Sequence, residues 1–147
     1  MTNVKQRRLR VRDCMTIDPA CVGSKDSLQT VINLLRRRDI RSVPVVDDGK
    51  LIGIVTDRDI REVAPAYPLF RDEVEIRHYT EQLTVTAAMT ADPMTVAPDT
   101  PLVEAAKVLE TYRINSLPVV DEQRLVGMLT VTDLLRVFVE QNEEVAA

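Results

Sequence analysis

Apolar residues recur along this chain at two periods. Leu28, Val31, Ile32 and Leu35 are spaced 0, 3, 4 and 7, which lines one face of a helix, and Leu102, Ala105, Ala106 and Leu109 repeat that face. Each predicted helix is followed by runs rich in β-branched residues. In the first half these are Val43 to Val46 and Leu51 to Val55, joined through Asp47-Asp48-Gly49-Lys50, a hairpin signal. The matching turn of the second half, Asp121 to Arg124, has no glycine and predicts a loop of another geometry. Thr100-Pro101 reads as a helix start with proline at the first helical position. Short extended pieces at Val22 and Val96 follow Asp-Pro turns, and second helices are predicted to start near Asp57 and Val131. The order is β-α-β-β-α, twice, an α+β class.

The two halves are copies. A shift of 74 residues aligns 11–63 with 85–137 without a gap, with 19 of 53 positions identical. The longest block pairs Ser42-Val43-Pro44-Val45-Val46-Asp47 with Ser116-Leu117-Pro118-Val119-Val120-Asp121. Leu51, Gly53, Thr56 and Asp59 match Leu125, Gly127, Thr130 and Asp133. The predicted division is a basic arm over 1–10, a repeat over 11–63, a joining segment over 64–84, a second repeat over 85–140 and a tail over 141–147. Pro65 and Pro68 break the join, and Phe70, Val74, Ile76, Tyr79 and Leu83 suggest a helix within it. A repeat of about 50 residues is too small to bury a good core alone, so the two are expected to pack their sheets with pseudo-twofold symmetry.

Composition removes several chemistries. The 147 residues include four glycines, at 23, 49, 53 and 127, so neither G-x-G-x-x-G nor G-x-x-x-x-G-K-[ST] can be written. One histidine, His78, rules out a multi-histidine metal site and places no base within either repeat. Five aromatic residues do not make a base-stacking platform. No apolar run approaches the roughly 18 residues of a membrane span. The N-terminal stretch has no apolar core of a secretory signal, which predicts a cytoplasmic protein. Cys14 and Cys21 lack C-x-x-C spacing and are expected to remain thiols. Net charge is −4, yet Lys5, Arg7, Arg8, Arg10 and Arg12 give the first 12 residues +5 and leave the rest at −9. Such an arm either touches an anionic partner or leads into the first folded element.

Thr56-Asp57-Arg58-Asp59 and Thr130-Val131-Thr132-Asp133 both fall where a strand ends and a helix begins. One reading is a capping box, with threonine as N-cap and aspartate three residues on. The other is a ligand site: a helix start offers N–H groups to phosphate, and a carboxylate can accept from both ribose hydroxyls. Arg58 opposes the helix dipole by roughly a few tenths of a kcal/mol, which a cap does not call for and a phosphate clamp does. Its plain alternative is a surface pair with Asp57 or Glu62.

The pattern Met-Thr-x-Asp-Pro…Ser-h-Pro-Val-Val-Asp…Leu-h-Gly-h-h-Thr-x-x-Asp, with h apolar, resembles the CBS domain (cystathionine β-synthase type). It occurs twice over 11–137, like a stand-alone CBS pair, or Bateman module, of the bacterial acetoin-utilisation type. The resemblance implies a regulatory sensor. Such pairs take AMP, ADP, ATP or S-adenosylmethionine in clefts between the repeats, require no cofactor and commonly form homodimers. It implies that Thr56 and Thr130 contact phosphate or ribose and that Asp59 and Asp133 hold the ribose diol. Arg58 and Thr132 would face phosphate. Arg41 would reach the phosphate of the Asp133 cleft, and Asn115 with Ser116 that of the Asp59 cleft; Ser42 is the counterpart of Ser116. Adenine would be read by backbone around Val22 and Val96, between apolar walls from Ile40, Val43, Ile114 and Leu117. No catalytic set and no metal site is written in the sequence, so an enzyme is not expected. The competing readings are a ligand-free dimerisation module and a nucleic-acid-responsive protein that uses its basic arm.

Overall fold

In the computed structural model, which describes residues 8–64 and 73–146, Ser27 opens the first long helix, α2 (Leu28–Arg38). Its hydroxyl accepts the Thr30 N–H at 3.3 Å, and Asp39 ends the helix in the left-handed region. The exposed Arg36, Arg37 and Arg38 crowd the last turn, where cations favour the dipole. The predicted hairpin follows as β2 (Ser42–Asp47) and β3 (Lys50–Thr56), in antiparallel register from Ser42 opposite Thr56 to Asp47 opposite Lys50. Helix α3 (Asp57–Val63) leaves β3 directly, and the join contributes α4 (Glu73–Gln82). The second half repeats the pattern as α5 (Leu102–Tyr112), β5 (Ser116–Asp121), β6 (Arg124–Thr130) and α6 (Val131–Ala146). Short elements precede each half: α1 (Val11–Cys14) with β1 (Thr16–Ile17), and a 3-10 turn (Val85–Ala87) with β4 (Thr90–Ala91). Lys5, Arg7, Pro65, Pro68 and Phe70 lie outside the described residues.

The chain forms two compact units, and neither is a continuous stretch of sequence. One combines the segment up to Asp18 with Met94–Glu122 and Val126 onward; the other is Pro19–Pro93 with Gln123–Leu125. In the α2 unit, β4 pairs with β3 through Gly53 opposite Ala91, and Val22 bridges Val45 in parallel. In the α5 unit, β1 pairs with β6 through Ile17 opposite Gly127, and Val96 bridges Val119. The lead-in of each repeat is therefore sewn into the unit that holds the other repeat's helix and hairpin. Val11 N–H donates to the Thr100 carbonyl and Leu102 N–H to that of Leu9, both at 2.9 Å; 74 residues away, Val85 bonds Asp26 and Leu28 bonds Leu83, both at 2.8 Å.

Each unit has its own core. Leu28, Val31, Val43, Val45 and Val55 are fully buried in the α2 unit together with Val85 from the second repeat's lead-in. Ala105, Leu117, Val119 and Leu129 are fully buried in the α5 unit together with Val11. A buried polar bridge ties the joining helix to α2. The Thr80 hydroxyl donates to Gln29 Oε1, and Gln29 Nε2 donates to Asn33 Oδ1 at 2.9 Å. Their burial is tolerated because each is hydrogen-bonded.

Two details of the sequence reading change. Pro101 is the N-cap of α5, not its first helical residue: ψ is 135°, and Leu102 begins the helix while the proline carbonyl accepts the Glu104 N–H at 3.0 Å. The second hairpin does not take another geometry. Glu122 (φ 49°) and Gln123 (φ 71°) sit in the same left-handed pair as Asp48 (φ 51°) and Gly49 (φ 79°), the conformation a two-residue turn needs to match strand twist.

Candidate functional site

Both strand-to-helix junctions are built as capping boxes. At α3, Thr56 Oγ1 accepts the Asp59 N–H at 3.1 Å and Asp59 Oδ2 accepts the Thr56 N–H at 2.9 Å. At α6, Thr130 Oγ1 accepts the Asp133 N–H at 3.2 Å and Asp133 Oδ2 accepts the Thr130 N–H at 2.9 Å. One residue upstream of each Ser-h-Pro strand, a carbonyl closes the next donor. Asp57 N–H donates to Arg41 and Val131 N–H to Asn115, both at 3.0 Å. Arg41 with Ser42, and Asn115 with Ser116, are thereby fixed beside the junction of their own unit.

The expectation that a helix start offers free N–H groups fails at α3. The N–H of Arg58 donates to Asp57 Oδ1 at 2.9 Å, so the first three donors all have partners. At α6, Val131 has no side-chain oxygen to do the same for Thr132. The Arg58 side chain pairs loosely with Glu62 at 3.6 Å and is 86% exposed, while Asp57 pairs with Arg61 at 2.9 Å. Its guanidinium is thus held by a weak surface contact.

The carboxylates differ more. Asp59 is half-buried, and its Oδ1 accepts no hydrogen bond among the described residues. Asp133 is buried, and its Oδ1 takes Arg136 Nη1 at 3.2 Å. The backbone of Val22 and Val96 is already engaged: each N–H donates to a proline carbonyl, Pro44 or Pro118, at 3.1 Å, and each carbonyl accepts from β2 or β5. A base read there would use the groups flanking these valines. Of the expected apolar walls, Val43 and Leu117 are wholly core, whereas Ile40 and Ile114 keep an exposed side. Ile114 lines an open groove of about 560 Å³ in the α5 unit with Asn115, Val131, Leu134, Leu135 and Phe138. The sequence reading missed this groove, because Leu135 and Phe138 continue the apolar face of α6 and look like core by spacing.

Other candidates take plain roles. His78 is exposed and shares a hydrogen bond with Gln82 at 3.0 Å. Cys14 and Cys21 are free thiols; burial, then Asp13, Asp133 and Glu140, push the Cys14 thiol up from its ordinary value. In the basic arm, Arg10 Nη1 donates to the Asp99 carbonyl at 2.9 Å and Arg12 pairs with the Asp99 carboxylate at 2.6 Å. Among the described residues there is no cluster of three metal-ligating side chains, and no helix is long and apolar enough to cross a membrane.

The sequence pattern of the CBS domain matches residues 11–66 and again 85–140. The chain belongs to the CBS-domain family. It is 34% identical over 141 residues to a CBS domain-containing protein of Dictyostelium discoideum, covering 94% of this chain and 97% of that one. The structure of a putative acetoin utilization protein (AcuB) from Vibrio cholerae superposes with a TM-score of 0.78 at 30% identity, over 92% and 93% of the two chains. The CBS domain pair of protein MJ0100, solved in complex with 5-methylthioadenosine and S-adenosyl-L-methionine, gives 0.75 at 30% identity, over 90% and 98%. CBSX2 of Arabidopsis thaliana, solved in complex with AMP, gives 0.76 at 28% identity, over 90% and 98%. Two of these solved CBS pairs, MJ0100 and CBSX2, therefore hold adenosine compounds.

Proposed function

We propose that this chain is a cytoplasmic regulatory module, not an enzyme, that takes an adenosine-containing ligand at its strand-to-helix junctions. AMP, ADP or ATP is the leading ligand and S-adenosylmethionine the alternative. The observation that carries this reading is the Thr-x-x-Asp box itself, repeated at Thr56–Asp59 and Thr130–Asp133 in a family of which some solved pairs hold adenosine compounds. In it the aspartates accept from the ribose diol, Thr56 and Thr130 donate to ribose or phosphate, and Arg58 and Thr132 face phosphate. Arg41, Ser42, Asn115 and Ser116 border the same junctions, and the base lies beside Val22 or Val96. A ligand signals by favouring one of two states, to the extent of its differential affinity for them.

The ligand-free alternative draws support from the same boxes, which are satisfied without any ligand. The nucleic-acid alternative is weakened because Arg10 and Arg12 are engaged on Asp99. A homodimer is part of the proposal: Tyr112, Leu135, Phe138 and Val139 are exposed on α5 and α6, an apolar surface that a second copy would cover.

Thermal-shift measurement with AMP, ATP, NAD and S-adenosylmethionine tests the reading. A ligand that binds only the folded protein raises the melting temperature. Asp59 and Asp133 also cap their helices, so asparagine is the informative substitution: it keeps a cap acceptor and loses the charge. Calorimetry with the ligand that shifts melting is expected to show weaker binding in Asp59→Asn. Unchanged affinity in both Asp59→Asn and Asp133→Asn would remove the ribose role.

A further inference from the structure

The two junctions share a box but not their charged partners. Around Asp133 both carboxylate oxygens are occupied: Oδ2 by the Thr130 N–H at 2.9 Å and Oδ1 by Arg136 Nη1 at 3.2 Å. The side chain of Asp133 is 5% exposed, while that of Arg136, three residues on, is 59% exposed. The position matching Arg136 in the first repeat is Glu62, which pairs with Arg58 and leaves Asp59 Oδ1 open. The second repeat, in turn, has Thr132 where the first has Arg58. The first junction thus carries Arg58 and Arg61, which pair with Glu62 and Asp57, whereas at the second Arg136 rests on the box aspartate itself.

We infer that Arg136 is a specificity-determining residue that closes the Asp133 junction to an uncharged adenosine and opens it to a phosphorylated one. This rests on the adenosine reading above. A ribose hydroxyl that donates to Asp133 Oδ1 must displace Arg136, and a neutral nucleoside offers that guanidinium nothing in return. A phosphate offers a charge-assisted partner and draws it off the carboxylate. The exchange is feasible because Arg136 is largely in water, where an ion pair holds weakly. Asp59 has no such latch, so at the first junction a ribose hydroxyl displaces no guanidinium from the carboxylate, and any preference for phosphate rests on Arg58 alone.

Calorimetry of the full chain with adenosine and with AMP tests this. Asp59→Asn is used as background, so that the remaining signal comes from the Asp133 junction. The expected result is AMP binding at least about tenfold tighter than adenosine in Asp59→Asn, and collapse of that preference in Asp59→Asn/Arg136→Ala, with adenosine tightening and AMP weakening. A melting curve checks that Arg136→Ala folds, and Arg136→Lys, which keeps a cation there, is expected to restore part of the preference. An unchanged AMP-to-adenosine ratio in Arg136→Ala overturns the role of Arg136. Binding in the native sequence but none in Asp59→Asn also overturns it, and leaves the Asp59 site standing. Binding of neither compound to the native sequence overturns the adenosine reading together with this inference.

Discussion

Met15 lies over Gly127: a Cβ built on that glycine would stand 2.6 Å from the methionine sulfur and 2.8 Å from the Thr16 carbonyl oxygen. Gly53 stands in the same relation to Met89 and the Thr90 carbonyl, at 2.8 and 3.0 Å. These glycines are needed because another strand's backbone passes directly over them, not because of their own φ. Gly127→Ala is expected to destabilise by about 1–3 kcal/mol through overpacking, read as a lower urea midpoint. Adding Met15→Ala should not restore stability, since the carbonyl oxygen remains. A fully rescued double variant would show that the sulfur alone sets the constraint.

The glycine-free turn stores a local cost. Gln123 holds φ 71° where the first hairpin has Gly49 at φ 79°. A left-handed side-chain residue costs roughly 1–2 kcal/mol, and glycine offsets part of the gain through its unfolded-state freedom. Gln123→Gly should therefore stabilise by about 0.5–1 kcal/mol. Thermal melting of the variant beside the native chain checks the sign.

Asp47 accepts two hydrogen bonds from Ser24, from its hydroxyl at 2.5 Å and its N–H at 3.0 Å. The hydroxyl, then the N–H, hold the Asp47 carboxyl below its ordinary value of 3.8. A carboxyl lowered on folding lends stability that is full above its unfolded value and lost as pH falls through the folded one. Ser24→Ala should be less stable than the native chain at neutral pH. That gap should close as pH drops below the ordinary carboxylate range, as read by denaturation at a series of pH values.

Phe138 is 64% exposed on α6 beside Leu135 and Val139. If a second copy covers this face, Phe138→Glu places a charge in an apolar interface. Light scattering on a sizing column is then expected to report the monomer mass for the variant and the dimer mass for the native chain, with melting little changed. A native chain that already runs as a monomer would sink the homodimer.

The Cys14 thiol is raised by burial and neighbouring carboxylates, whereas Cys21 is exposed. Alkylation depends on the thiolate. Iodoacetamide at mildly alkaline pH should label Cys21 several-fold faster than Cys14, as followed by peptide mass spectrometry.

The 74-residue repeat was legible because both copies bury the same face: the 0, 3, 4, 7 helix spacing, the paired β runs and the Thr-x-x-Asp boxes are local patterns, and local patterns survive in sequence. The left-handed positions show where that legibility ends. Asp18 and Asp92, Asp39 and Arg113, Asp48 and Glu122, and Gly49 and Gln123 all have positive φ, yet arginine, glutamate and glutamine give no sequence signal for it. At Asp39 and Arg113 the helix end, and at the two hairpins the two-residue turn, imposes the backbone and the side chain follows.

The sequence by itself determined the helix, hairpin and second helix of each repeat, the family and which residues meet at each strand-to-helix junction, but not the short elements α1, β1 and β4 of the lead-ins. Only the tertiary structure decided which segments share a core. Val11 and Met15 complete the α5 unit, and Val85 and Met89 complete the α2 unit, because the lead-in of each repeat finds its hydrogen-bond partners and its buried surface in the other repeat, far away along the chain. The structure also shows that Arg136 reaches Asp133 Oδ1, while Asp59 Oδ1 accepts no hydrogen bond among the described residues. That difference depends on a guanidinium reaching one oxygen, and an i, i+3 spacing permits such a contact without requiring it.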